Sequence, residues 1–297
     1  MSTIRATTRL SQIERSITNK ECHRATCSLM DFIRDYTIDA ADLEEAVELR
    51  KNYNSLRQLG ASDIREEDAV VILQQAGSIF NRIKAYSYEA VEQSLVETYP
   101  KFPVLRAADV IKKYSQKGNF KLGPVSTVLK AGEITGIVGE NGNGKTTLLR
   151  ILARLLSYDT GILEYHFDDH EISEDYLIKH HIAYIPQRLE SWQGTLRENL
   201  HYAATIHNIV GEENEKLVEF VIHRMGLSNF AHLGWKELSS GYKLRFELAK
   251  MLVWSPKVLV LDEPLANLDI NAQEWILQDF KSMANSIKNP VSVILSS

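Results

Sequence analysis

Residues 133–156 read EITGIVGENGNGKTTLLRILARLL, an apolar run, a glycine-rich turn and a second apolar run with helical spacing. Glu133 to Val138 has the composition of a buried strand, and the stretch from Lys145 onward that of a helix. Between them lies Gly139-Glu140-Asn141-Gly142-Asn143-Gly144-Lys145-Thr146-Thr147, which has the spacing G-x-x-x-x-G-K-T. In that pattern the glycines let the backbone curl, so that N–H groups from Gly139, Asn141, Gly142, Asn143 and Gly144 converge on phosphate oxygens. The helix that follows adds the positive end of its dipole. Lys145 is expected at the β and γ phosphates, and the Thr146 hydroxyl, with Thr147 beside it, is a hard oxygen donor suited to Mg²⁺.

Working outward, Val258 to Leu261 (VLVL) is a second buried strand, and it runs directly into Asp262-Glu263-Pro264. Two carboxylates at the mouth of a strand, in a chain that also carries a phosphate loop, divide naturally into two roles. Asp262 is expected to meet the metal, directly or through water, and Glu263 to orient the water that attacks the γ phosphate. Val291 to Leu295 (VSVIL) reads as a third strand. From Val104 onward, short apolar runs alternate with helical patterns, as expected of an α/β domain with a largely parallel core sheet.

The front of the chain has another texture. Residues 10–97 carry apolar positions at helical spacing, among them Leu10, Ile13, Ile17, Leu29, Phe32 and Ile33, and no strand signal. About three helices are expected, broken at Gly60 with Ser62 and Asp63 opening the last. That helix presents Val70, Leu73, Ala76, Ile79, Phe80 and Ile83 as a bundle core. Two prolines in Tyr99-Pro100-Lys101-Phe102-Pro103 end it and stiffen the join. The expected division is therefore a helical bundle over 1–98, a linker over 99–103 and an α/β domain over 104–297.

Composition narrows the function classes. The 297 residues are 44% apolar, with 34 Lys plus Arg against 39 Asp plus Glu and a formal charge of −5. Duplex binding draws on Lys and Arg neutralising phosphates, so direct nucleic-acid binding is not expected. No run approaches the ~18–20 apolar residues needed to span a bilayer, and the first residues lack the apolar core of a secretory signal. Cys22 and Cys27 read as free thiols, because no second Cys or His cluster completes a zinc site around Cys22, His23 and Cys27.

Three further motifs follow in order: Ile185-Pro186-Gln187, Leu238-Ser239-Ser240-Gly241-Tyr242 and Ala266-Asn267-Leu268-Asp269. Together with the phosphate loop and Asp262-Glu263 they resemble the nucleotide-binding domain of the ATP-binding cassette (ABC) family, over residues 104–297. The resemblance implies a P-loop NTPase with a mixed core sheet, an antiparallel β subdomain and a helical subdomain, preceded here by a small all-α domain. It implies ATP and Mg²⁺ as ligands, with Gln187 reaching the metal or attacking water. Ser239 and Gly241 of the signature are expected to bind the γ phosphate across a dimer of nucleotide domains, either two copies or two different chains. An aromatic stacks on adenine in this family, and Tyr114 holds that place, with Phe120 as competitor.

The signature departs from L-S-G-G-Q at Ser240 and Tyr242. The family's switch histidine would follow VSVILSS, so the chain is expected to continue past Ser297. The segment between Gln187 and Leu238, with Leu196, Leu200 and Phe220, resembles the subdomain that docks on membrane partners. The implied function is that of the ATP-hydrolysing subunit of an ABC transporter, cytoplasmic and peripheral at the inner face of the membrane, driving a separate permease. The alternative is a soluble ABC-type ATPase whose residues 1–98 bind other proteins.

Overall fold

The front of the chain forms helices α1 (Thr3–Thr18), α2 (Cys22–Tyr36), α3 (Ala40–Leu56) and α4 (Glu66–Lys84) in a computed structural model that describes residues 3–36, 38–57, 63–88, 91–92, 102–114, 120–168, 170–266 and 268–297. Among the described residues these are four helices where periodicity alone counts about three. Lys20 makes the difference, because its φ of 62° turns the chain between α1 and α2. Asp39 opens α3 by accepting a hydrogen bond from the Ala41 N–H at 3.0 Å, a side-chain cap for an otherwise orphaned donor. The expected breaker Gly60 and starter Ser62 lie outside the described residues. Ile13, Leu29, Phe32, Ile33, Tyr53, Ile79 and Ile83 are buried. On α4, Val70 is 48% exposed, and Ile72, at 1%, takes the inward place expected of it.

These helices share one compact unit, Met1–Tyr99 and Trp192–Val253, with α7 (Leu196–Ile206), α8 (Gly211–Arg224) and all but the last residue of α9 (Ser240–Trp254). A reciprocal capping box starts α7: Thr195 Oγ1 accepts from the Glu198 N–H at 3.2 Å, and Glu198 Oε2 accepts from the Thr195 N–H at 2.8 Å. Trp192 Nε1 donates to Glu247 Oε1 at 2.9 Å, and the Lys250 ammonium lies 3.3 Å from the centre of the Trp192 ring.

A polar cluster binds α2 and α3 to α8. Arg224 donates from Nε and Nη2 to the two oxygens of Asp31, each at 2.7 Å. Arg50, fully buried, donates to the His223 carbonyl at 3.2 Å and to Thr26 Oγ1 at 3.0 Å, while Asn54 Nδ2 reaches the same carbonyl at 2.9 Å. The Arg50 Nη2 also meets His23 Nδ1 at 3.2 Å. A guanidinium only donates, so Nδ1 must accept and the ring is neutral with its proton on Nε2.

The second unit, Pro100–Ser191 with Trp254–Ser297, holds two sheets. Strands β1 (Leu105–Lys113), β2 (Lys121–Leu129), β4 (Thr160–Phe167) and β5 (His170–Glu171) form an antiparallel sheet in the order β2-β1-β4-β5. Strands β3 (Ile134–Ile137), β6 (Ile182–Ile185), β7 (Val258–Leu261) and β8 (Ser292–Ser296) form a sheet in the order β3-β8-β7-β6, with every described pair parallel. Helices α5 (Lys145–Leu152), α6 (Asp175–Lys179) and α10 (Ile270–Ala284) complete the unit. Val258 to Leu261 is buried at every position, which is what a central parallel strand covered on both faces requires. Leu149, Ile151 and Leu152 of α5 pack with Val258, Val260 and Ile294 in its core. Among the described residues no helix is long and apolar enough to cross a membrane.

Two outcomes follow for the polar cluster. Replacing Asp31 by Ala leaves a buried arginine without its carboxylate, and the unit is expected to lose about 3 kcal/mol, read from the midpoint of urea unfolding. His23 is held well below its ordinary pKa, first by burial and then by the guanidinium of Arg50. Between the two pKa values the unfolded chain therefore binds a proton that the native state refuses. Stability is expected to fall as pH drops below about 6.5, by up to ~1.4 kcal/mol per pH unit for this one group, which urea titrations between pH 5 and 8 would read.

Candidate functional site

In a parallel sheet the C-terminal strand ends lie side by side, and loops leaving them share one edge. Here the register pairs Ile185 with Leu261, Leu261 with Leu295, and Ile137 with Ser296. The phosphate loop, the Gln187 segment, Asp262-Glu263 and the end of β8 are thereby delivered to one place.

The phosphate loop is an open cradle. Residues 138–143 are exposed, and a Cβ placed on Gly139 or Gly142 would meet nothing within 4 Å. Gly142 and Gly144 have φ of 88° and 87°, the left-handed region that side chains disfavour. Gly144 is also hemmed in, since a Cβ there would come within 2.7 Å of the Phe120 ring. The helix α5 begins at Lys145, directly after Gly144, as the motif requires. Lys145 Nζ donates to the Gly139 carbonyl at 2.5 Å and stands 3.9 Å from Glu263 Oε1. Thr146 at the start of the helix is exposed, with Thr147 half-buried behind it.

Opposite the loop, Glu263 Oε2 accepts a hydrogen bond from Gln187 Nε2 at 2.6 Å. The structure thus brings Lys145, Gln187 and Glu263 together. Asp262 is 4% exposed, and its Oδ1 accepts from the Ser296 hydroxyl at 2.9 Å. Burial, with the Asp262 carboxylate next, pushes the Tyr184 phenol up to about 12. The donors Thr146 Oγ1, Asp262 and the Gln187 amide oxygen are all oxygens, the chemistry a hard cation demands. Gln187 spends only its nitrogen on Glu263. This donor set fits Mg²⁺.

Other predicted residues sit elsewhere. Ser239 immediately precedes α9 and Gly241 lies in its first turn, both in the first unit. Tyr242 packs its ring 3.8 Å from that of Phe230, so an aromatic contact occupies the position where the family pattern has glutamine. Asp269 caps α10 by accepting from the Ala272 N–H at 2.9 Å, a structural task for the last residue of that motif. Asn267 lies outside the described residues. Of the two aromatics, Phe120 touches the phosphate loop, while the Tyr114 ring lies 6.2 Å from that of Phe120.

Motif reading missed Ser296 and Tyr184. Both lie in apolar strand segments, where a hydroxyl carries no pattern, and only the pairing of β6, β7 and β8 turns them toward Asp262.

The profile of the family described as ABC transporter matches residues 122–266. The energy-coupling factor transporter ATP-binding protein EcfA1 of Thermotoga maritima is 32% identical over 182 residues, which cover 61% of this chain and 69% of that protein. The molybdate/tungstate import ATP-binding protein WtpC of Pyrococcus horikoshii is 30% identical over 60% of this chain and 50% of its own length. The chain thus spans between half and about two thirds of these relatives. Among solved structures, cbiO1 of Clostridium perfringens, part of the ABC transporter complex cbiONQ, superposes with a TM-score of 0.57 at 24% identity. That match covers 66% of this chain and 79% of that one, a likeness of fold.

Replacing Gly144 by Ala imposes a left-handed side chain and an overlap with Phe120. A loss of about 1–2 kcal/mol from the backbone alone is expected, together with loss of nucleotide retention, measured by thermal unfolding and equilibrium dialysis with ATP.

Proposed function

The chain belongs to the ABC transporter family of ATP-binding proteins, and from that premise we propose that it is the ATP-binding and ATP-hydrolysing subunit of a transporter whose membrane-spanning part is a separate chain. The observation that carries this is the array of Lys145, Gln187 and Glu263 at the edge of the parallel sheet, beside a glycine cradle open to solvent.

In this reading the loop amides and Lys145 bind the phosphates of ATP, and Lys145 exchanges the Gly139 carbonyl for a phosphate oxygen. Thr146, Asp262 and Gln187 would hold Mg²⁺, which would supply neutralisation of phosphate charge. Glu263 orients the attacking water, and Gln187 holds the Glu263 carboxylate in the meantime. Tyr114 or Phe120 packs on the base. Ser239 and Gly241 complete the site of a second nucleotide domain rather than their own, so the working form is a dimer of identical or related chains.

Closure on ATP and opening after hydrolysis then do work on the membrane partner from the cytoplasmic side. The two states differ in affinity for ATP, which is what couples binding to motion. Residues 1–98 are read as a helical interaction module and 104–297 as the nucleotide-binding domain.

A soluble ATPase using its helical front end to bind other proteins is the second reading. The compact packing of α2 and α3 on α8 supports it, because such front-end helices lie against the segment that resembles a partner-docking subdomain. Reproducible co-purification with a multi-spanning membrane protein separates the two readings in favour of the transporter.

For catalysis, Glu263→Gln is expected to retain ATP while phosphate release falls on the order of a hundredfold or more. Lys145→Ala is expected to lose ATP binding itself. Unchanged turnover in Glu263→Gln would remove Glu263 from the mechanism.

A further inference from the structure

Ser296 is 2% exposed at the end of β8, and its hydroxyl makes two hydrogen bonds that differ in kind. The Glu263 N–H points at Ser296 Oγ at 2.8 Å, and Ser296 Oγ stands 2.9 Å from Asp262 Oδ1. A backbone N–H only donates, so the hydroxyl accepts from Glu263 and its single proton goes to the Asp262 carboxylate. One oxygen atom therefore ties together the two adjacent acidic residues.

The tie matters because Glu263 has a φ of 47°, left-handed for a residue that is not glycine. Such a conformation persists when surrounding bonds over-determine it. Here the strand bond from the Asp262 N–H to the Ile185 carbonyl, at 3.0 Å, fixes one side of the turn, and Ser296 holds the next N–H. Ser296 is itself fixed by the register of β8 against β3 and by the Ser297 N–H, which donates to the Ile137 carbonyl at 3.0 Å. Asp262 Oδ1 is thereby held by the serine, while Glu263 is turned toward Gln187 and Lys145.

We infer that Ser296 is a positioning residue for both carboxylates: through one hydroxyl it orients Asp262 toward the metal and stabilises the strained turn that presents Glu263. This inference rests on the reading of the site as one for a magnesium–ATP complex. Partners that orient metal ligands in this way typically contribute about 10–100-fold to metal affinity or activity.

The test is Ser296→Ala beside Ser296→Thr, which keeps the hydroxyl on a strand position. Four quantities are measured: kcat, KM for ATP, ATP affinity in EDTA, and Mn²⁺ affinity by electron paramagnetic resonance with a non-hydrolysable ATP analogue. Expected for Ala is a loss of about tenfold or more in both kcat and Mn²⁺ affinity, with metal-free ATP affinity within about twofold, and recovery in Thr. Wild-type Mn²⁺ affinity and kcat in Ala would overturn the assignment. So would a loss of ATP affinity in EDTA that tracks a lower thermal midpoint, the mark of a merely structural residue. Should Ala not fold, Ser296→Cys, nearly the size of serine with a weaker donor, is read by the same criteria. A wild-type protein that turns over no ATP would sink the hydrolytic reading, while the Mn²⁺ affinities would still decide for or against the serine.

Discussion

The register of four parallel strands is the constraint on which the candidate site depends. Pairing of Ile185 with Leu261, Leu261 with Leu295 and Ile137 with Ser296 puts four strand ends level. A slip of one residue in any pair would turn its side chains to the opposite face and separate the carboxylates from the loop. Apolar burial enforces the register: Val258 to Leu261 has no exposed position, and Val293 and Ile294 beside it are equally enclosed. The chemistry is placed by the same pairing that removes these side chains from water.

At the edge of that sheet the chain leaves ordinary backbone geometry where ligand contact is expected. Gly142 and Gly144 carry left-handed angles at little cost, but Glu263 carries one with a side chain attached. Its N–H and its carboxylate are both bonded, to Ser296 and to Gln187, so the strain sits inside a set of hydrogen bonds rather than in a free loop. Phe120 against Gly144 shows the same economy, since an aromatic ring fills the space where any larger residue at that position would need to go.

The helical unit solves a different problem. Its helices meet over buried polar groups as well as over Leu29, Phe32 and Ile79. Arg50 is enclosed with carbonyl, hydroxyl and imidazole acceptors around it, and Arg224 is satisfied by both oxygens of Asp31. Removing one member of such a set leaves a buried donor or charge without its partner, so the cluster specifies which helices pack together more sharply than apolar contact does.

The sequence by itself determined the phosphate loop, the strands before it and before Asp262, the start of α5 at Lys145 and the family, because each is a local pattern of glycine, charge and apolar spacing. It also determined, by periodicity alone, that the described front-end segments α1 to α4 are helical. Only the tertiary structure decided that α2 and α3 pack on α8, that Ile72 rather than Val70 faces inward, that Phe120 abuts Gly144, and that Ser296 hydrogen-bonds Asp262. The physical reason is the same in each case. A hydroxyl in an apolar strand, or an arginine on a charged helix, has no local signature, and its role comes into being only when strand register and helix packing supply a partner far away along the chain.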